Sequence, residues 1–441
     1  MKKSIVLFAL AILLLLPLPV TAAAADISAK DVDCSYLVLM EASTGAVLLE
    51  KNADKRAYPA STTKIMTCIL ALEMGDLDAK VTVGPEVWRG FGSKSSLMHL
   101  KEGETVTLRD LVYGMMLISG NDAAAAIAVH LSGSIDAFAD VMNAKAQELG
   151  MDNTHFVNPH GLHSEEHYTT ARDMAKLMAY AVNNSDFCVI GKTQRFTVPK
   201  TNKAASREMV NTNKLVATTD ANRDRGKVYE YRYANAGKTG ETTVSGHCLV
   251  SGAKKDDIQL VCVQLSAKES DNRFKQAPQL YNWGFTAFSK MDAVDIGLPQ
   301  SSTIQADGGE QIAVDIDYAG RQLGGTKEQL EALKANSASI EQRVLPVADS
   351  LHLPVTKGDK LAKIEFVYDG QVILTADAVA AQSLSIEGDA EPIEQVANDD
   401  GGGISFWVIL LILLLLGAGA FGGYVLLRYK SGYRIRRKRR L

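Results

Sequence analysis

Apolar positions recur along the chain with two short periods, and each predicts a different kind of element. Alternation over Tyr36–Glu41 and Ala46–Glu50, around Ala42-Ser43-Thr44-Gly45, predicts a hairpin. Spacings of three and four residues predict helices over Thr62–Met74, Leu108–Ile118, Asp122–Leu131, Ser134–Leu149 and Thr170–Val182. Strands return at His247–Ala253 and Ile258–Ser266, flanking the turn Lys254-Lys255-Asp256-Asp257. Strands at both ends with helices between them predict an α+β domain over residues 26–292, whose sheet joins its two ends. From Ala293 onward, short strands and turns such as Lys360–Tyr368, Asp369-Gly370 and Gln371–Thr375 predict a small all-β domain reaching to about residue 390.

Two further apolar stretches show no period. Met1-Lys2-Lys3, the run Ile5–Val20 and Thr21-Ala22-Ala23-Ala24-Ala25 supply a basic head, an apolar body and a small-residue cleavage site. Residues 1–25 are therefore expected to be a signal peptide, Pro17, Pro19 and the Ala run favouring cleavage over an N-terminal anchor. Ile404–Leu427 contains no charge and, at roughly 1.5 Å per residue, is long enough for the ~30 Å core of a bilayer. Arg428, Lys430, Arg434 and Arg436-Arg437-Lys438-Arg439-Arg440 follow, so residues 428–441 are expected to stay in the cytoplasm and the rest to face outward from the cell membrane. Residues 391–403, ending in Gly401-Gly402-Gly403, read as a flexible linker.

Charge sharpens the division. Of a net −4, Lys2, Lys3 and eight tail cations contribute +10, leaving −14 on the remainder. That balance argues against nucleic acid and other polyanions as partners of the outer part. The cysteines (Cys34, Cys68, Cys188, Cys248, Cys262) are odd in number and read as free thiols, although Cys248 and Cys262 fall on neighbouring predicted strands.

Candidate chemistry begins at Pro59-Ala60-Ser61-Thr62-Thr63-Lys64, at the start of the first helix. There, free backbone N–H groups favour a developing oxyanion, and Lys64 lies one turn on, on the same face as Ser61. A lysine takes a serine's proton only when burial or a neighbouring cation lowers its pKa. A lone Ser-x-x-Lys is weak: Ser251-Gly252-Ala253-Lys254 fits equally well, and Ser is a common helix cap. Ser119-Gly120-Asn121, between two helices, adds a hydroxyl for proton relay and an amide for a substrate carbonyl. Lys238-Thr239-Gly240 adds a second cation, a hydroxyl for a carboxylate and a glycine that allows close approach of backbone. Ser270-Asp271-Asn272 follows the Lys-Thr-Gly and is out of order as the second group.

In this order the three groups resemble the low-molecular-mass penicillin-binding proteins, specifically the serine-type D-alanyl-D-alanine carboxypeptidases related to class A β-lactamases. Met40–Gly45, Lys51–Asp54, Phe156-Val157-Asn158-Pro159-His160-Gly161-Leu162, Tyr168–Met174, Asn211-Thr212-Asn213 and Leu353–Asp359 carry the resemblance further, over roughly residues 32–385. It implies a β-lactamase/transpeptidase-like catalytic domain, with an antiparallel sheet flanked by helices, then the small β domain. It also implies Ser61 as the acylated nucleophile, Lys64 as its base and Ser119 as proton relay. Asn121 would bind a substrate amide, Lys238 and Thr239 the terminal carboxylate, and Gly240 would let substrate backbone lie close. The N–H groups of Ser61 and Glu241 would form the oxyanion hole, with Arg273 assisting carboxylate binding. The implied substrates are peptidoglycan stem peptides ending in D-Ala-D-Ala, with β-lactams as acylating inhibitors and no cofactor.

Other chemistries are open to the same residues. His163-Ser164-Glu165-Glu166-His167 fits a zinc-peptidase pattern, but Pro159 and Gly161 before it and a helix cap at Tyr168-Thr169-Thr170 after it predict a loop. No metal is expected. A β-lactamase would need Glu165 or Glu166 to activate water, and a DD-endopeptidase would use the same groups on cross-linked peptides. A non-catalytic β-lactam sensor is disfavoured by the intact three-part site.

Overall fold

The computed structural model describes residues 27–385 except 89, 93, 94, 218–225, 227, 349 and 350. The expected signal peptide (1–25), linker (391–403), span (404–427) and tail (428–441) lie outside these residues. Among the described residues no single helix is long and apolar enough to cross a membrane.

A five-stranded antiparallel sheet organises the larger part, in the order Val47–Lys51, Tyr36–Glu41, Ile258–Ala267, Gly246–Lys255, Ala234–Thr242. The predicted joining of the two ends is present: Tyr36 pairs with Leu265 and Leu39 with Cys262. Tyr36–Glu41 is buried almost throughout because both faces of the sheet are covered. Val38 and Met40 face a core shared with the helix Ala171–Ala181, including Met174 and Met178. Leu37 and Leu39 face the opposite core, against Phe274, Ala277, Leu280 and Tyr281 of the helix Asn272–Ala287.

That second helix was not anticipated from the sequence, since it is polar at its start and contains Pro278. It seats against the sheet at Gly284, where an added Cβ would lie 2.8 Å from Leu260 Cδ1 and 3.0 Å from Leu39 Cδ2.

The helical lobe comprises Lys64–Met74, Leu108–Leu117, Asn121–Ser132 and Ile135–Glu148, close to the predicted bounds. Leu108–Leu117 starts in a capping box of Thr107 and Asp110. Ala123, Ala124, Ala125 and Ala126 are buried, and their small side chains let Asn121–Ser132 pass through the middle of the lobe.

Residues 301–380 build a second five-stranded antiparallel sheet, in the order Ser301–Gln305, Gln311–Asp317, Gln371–Ala380, Lys360–Tyr368, Glu341–Pro346. Gln311–Asp317 alternates strictly, burying Ile312, Val314 and Ile316. The expectation of an all-β unit is corrected here: Lys327–Ala335 is a helix, opened by a capping box of Thr326 and Gln329 and anchored by buried Leu330 and Leu333. The strand Phe288–Asp292 pairs with Gln322–Thr326.

Overfilling the seat at Gly284 should loosen the helix that carries Arg273. Gly284→Val is expected to cost about 1–3 kcal/mol in urea unfolding, against little change for Thr286→Val at an exposed position on the same helix.

Candidate active site

Ser61 lies in a single 3₁₀ turn, Ala60–Thr63, that runs directly into the helix Lys64–Met74. Ala60 has φ +47°, a left-handed conformation unusual outside glycine. The turn sits against the edge strand Ala234–Thr242. A methyl group at Gly240 would lie 3.0 Å from Pro59 O and 3.1 Å from Ser61 N, a tight fit that glycine relieves.

Lys64 is fully buried. Its Nζ is 3.0 Å from Ser61 Oγ, 2.7 Å from Asn121 Oδ1 and 2.7 Å from the carbonyl of His160. Burial first, then the nearby charge of Lys238, drives its pKa well below the ordinary lysine range, with Asp122 pulling weakly the other way. Asp122 is itself committed elsewhere: Oδ1 accepts from Met98 N at 2.7 Å and Ala123 N at 2.9 Å, and Oδ2 from Leu100 N at 3.0 Å.

Ser119 stands between Leu108–Leu117 and Asn121–Ser132, and Asn121 opens the latter; both are buried, with Ser119 at φ +63°. Asn121 N donates to Ser96 O at 2.8 Å. With Oδ1 turned to Lys64, the amide nitrogen of Asn121 is directed away from it.

Lys238 is placed mid-strand and not at a strand start, and is buried, donating to Thr239 O at 3.0 Å. Burial, assisted by the neighbouring guanidinium of Arg273, pushes its pKa down to about 7. The hydroxyl of Thr239 is 2.9 Å from that of Thr212, a residue to which the sequence assigned no role. Arg273 is buried behind this strand, its Nη1 donating to Gly240 O at 3.0 Å and Cys248 O at 2.9 Å. Glu241 is exposed, its carboxylate 3.0 Å from His247 Nδ1 across the strand pair.

The structure thus gathers Ser61, Lys64 and Asn121 in direct contact, and brings the Lys238–Gly240 strand against the Ser61 turn. Ser251 lies elsewhere, its Oγ 2.8 Å from Tyr281 Oη in the core, and Ser270 Oγ accepts from Arg273 Nη2 at 3.4 Å. His163 to His167 form turns and not a helix, and both nitrogens of His167 are engaged within the protein. The described cysteines are free thiols, four of them buried.

The fold is that of the penicillin-binding, transpeptidase-like class of α+β proteins. The chain belongs to the D-alanyl-D-alanine carboxypeptidase family, whose sequence profile matches residues 20–269. D-alanyl-D-alanine carboxypeptidase DacC of Escherichia coli K12 is 32% identical over 374 residues, 80% of this chain and 84% of that one. Penicillin-binding protein 5 of Haemophilus influenzae superimposes with a TM-score of 0.58 at 27% identity, over 82% of this chain and 100% of its own. A mutant of the Streptomyces K15 DD-transpeptidase gives 0.52 at 32% identity, over 58% of this chain and 98% of its own.

A buried lysine with a lowered pKa weakens folding below its unfolded value and ceases to do so above it. For Lys238 the unfolded chain binds the extra proton between pH about 7 and about 10, so stability rises with pH across that window. Lys238→Met should therefore melt at a higher temperature than the parent at pH 7, and the advantage should shrink towards pH 10.

Proposed function

We propose that the chain is a serine-type D-alanyl-D-alanine carboxypeptidase that removes the terminal D-alanine from peptidoglycan stem peptides through an acyl-enzyme on Ser61. One observation carries the assignment of roles. A neutral amine has two N–H donors and one lone pair; on Lys64 Nζ, Asn121 Oδ1 and the His160 carbonyl take the donors. The lone pair is left for the hydroxyl proton of Ser61, 3.0 Å away.

In the first step Ser61 Oγ attacks the carbonyl carbon of the penultimate D-alanine as its proton passes to Lys64. The N–H groups of Ser61 and Glu241 hold the oxyanion. Asn121, through its free amide nitrogen, and the glycine edge at Gly240 align the peptide, while Lys238 and Thr239 hold the terminal carboxylate with Arg273 adding positive potential behind them. The C–N bond breaks, Ser119 hands a proton to the leaving amine, and D-alanine departs. Ser119 regains its proton from Lys64, which is neutral again; water then cleaves the ester, restoring Ser61 and releasing the shortened peptide. β-Lactams acylate the same serine.

Slow turnover of the β-lactam adduct is supported by the acids available. Glu165 is largely exposed and its carboxylate accepts from Tyr58 Oη at 2.6 Å, beside His163, in a surface cluster. The catalytic domain (26–292) and small domain (293–390) are read as standing outside the cell, held by the span 404–427 after removal of residues 1–25. The absence of charge in that span and the basic run behind it support this reading.

Ser61→Ala should abolish both labelling by a fluorescent penicillin and D-alanine release from a synthetic pentapeptide, a loss above about 10³-fold. Hydrolysis surviving in that variant would overturn the assignment. Because the unprotonated amine of Lys64 is the base, acylation should rise with pH and level off once that group is neutral. The same profile in Lys64→Arg would contradict its role.

A further inference from the structure

The described residues hold a buried hydrogen-bonded chain that ends on the backbone of the nucleophile turn. Val157 N donates to His167 Nδ1 at 3.1 Å, so that nitrogen carries no hydrogen and Nε2 does. His167 Nε2 lies 2.8 Å from Thr63 Oγ1, and Thr63 Oγ1 in turn donates to the carbonyl of Ala60 at 2.8 Å. Each hydrogen therefore has one direction only: His167 Nε2–H to Thr63, Thr63 O–H to Ala60 O. His167, Thr63 and Ala60 are all at least 98% buried, with relative exposures of 1%, 0% and 2%. Burial pushes the imidazole down to about 3, which keeps it the neutral donor over the working range of pH.

The end of the chain matters because of which peptide it holds. Ala60 C=O and Ser61 N–H belong to one planar peptide unit, so fixing the oxygen fixes the direction of the N–H. Ala60 is left-handed at φ +47°, a conformation that costs energy without glycine and persists only where its surroundings impose it. The loop from the other side imposes it too: an added Cβ on Gly161 would lie 1.8 Å from that same carbonyl oxygen. A hydrogen bond accepted at the oxygen also polarises the peptide and strengthens its N–H as a donor.

We propose that His167 and Thr63 are positioning residues that aim and polarise the Ser61 N–H of the oxyanion hole through the Ala60 carbonyl. The proposal rests on the acyl-enzyme reading of Ser61. It accounts for one histidine of the His163-Ser164-Glu165-Glu166-His167 segment by a role without metal.

The test compares Thr63→Val, Thr63→Ser and His167→Asn in the full-length chain, with melting temperatures measured alongside. Thr63→Val keeps the shape and removes the hydroxyl, while His167→Asn retains an acceptor for Val157 N–H and lacks the donor to Thr63. Both should slow acylation by penicillin and lower kcat on a pentapeptide by about 10–100-fold, with KM within about threefold, because an oxyanion donor acts in the transition state. Thr63→Ser should recover most of the rate. Infrared difference spectra of the acyl-enzyme, with the penicillin carbonyl isotope-labelled, should show the ester stretch at higher frequency in Thr63→Val and His167→Asn than in the parent. An unchanged stretch in both variants, or Thr63→Ser no faster than Thr63→Val, overturns the proposal. Labelling that persists in Ser61→Ala would instead remove the reading on which it stands.

Discussion

An amine kept uncharged in the interior is the constraint on which the rest of the site depends. A lysine in water is an ammonium and no base at all; Lys64 becomes one because burial strips its charge of water and Lys238 repels a proton there, outweighing the pull of Asp122. The acid that acts on it, Asp122, is occupied by the N–H groups of Met98, Ala123 and Leu100. Lys238 repels a proton from Lys64, and Lys238 is in turn held down by burial and by Arg273 behind it. Burying three basic side chains in succession is unfavourable for folding, and the two apolar cores on either side of the sheet must offset that.

The sheet and the helical lobe contribute different things to this arrangement. The lobe supplies depth: the helix Lys64–Met74 and the alanine-rich helix Asn121–Ser132 remove water from around the amine. The sheet supplies an edge. Ala234–Thr242 is its outermost strand, and glycine at 240 brings that strand against the Ser61 turn. An edge strand carries main-chain groups unpaired by the sheet, suited to a peptide lying alongside.

Much of this was legible in the sequence because it was written in side chains and periods. The strand and helix bounds follow apolar spacing, and Ser61, Lys64, Ser119, Asn121 and Lys238 stand out by order as much as by kind. What was missed has physical reasons. The helix Asn272–Ala287 hides behind a polar start and an internal proline, while Lys327–Ala335 was overlooked among strands although Thr326 and Gln329 form a legible capping box. The His160 carbonyl that holds Lys64 is a backbone atom, which any residue there would supply. Arg273 could be suspected near the site, but its engagement with the carbonyls of Gly240 and Cys248 depends on how a helix crosses a sheet.

The pairing of Tyr36–Glu41 with Ile258–Ala267 has a consequence in time as well as in space. A chain made from its N-terminus presents an apolar central strand early and its partner only after the whole helical lobe has followed. Contacts so distant in sequence are slow to close, and until they do the strand's backbone has its hairpin neighbour on one side alone. The edge strand that meets the Ser61 turn attaches through this late pairing, by way of Gly246–Lys255. The last stretch of the domain therefore acts as a completion signal: nucleophile and base are adjacent in sequence from the outset, yet they acquire their surroundings only when the domain is whole.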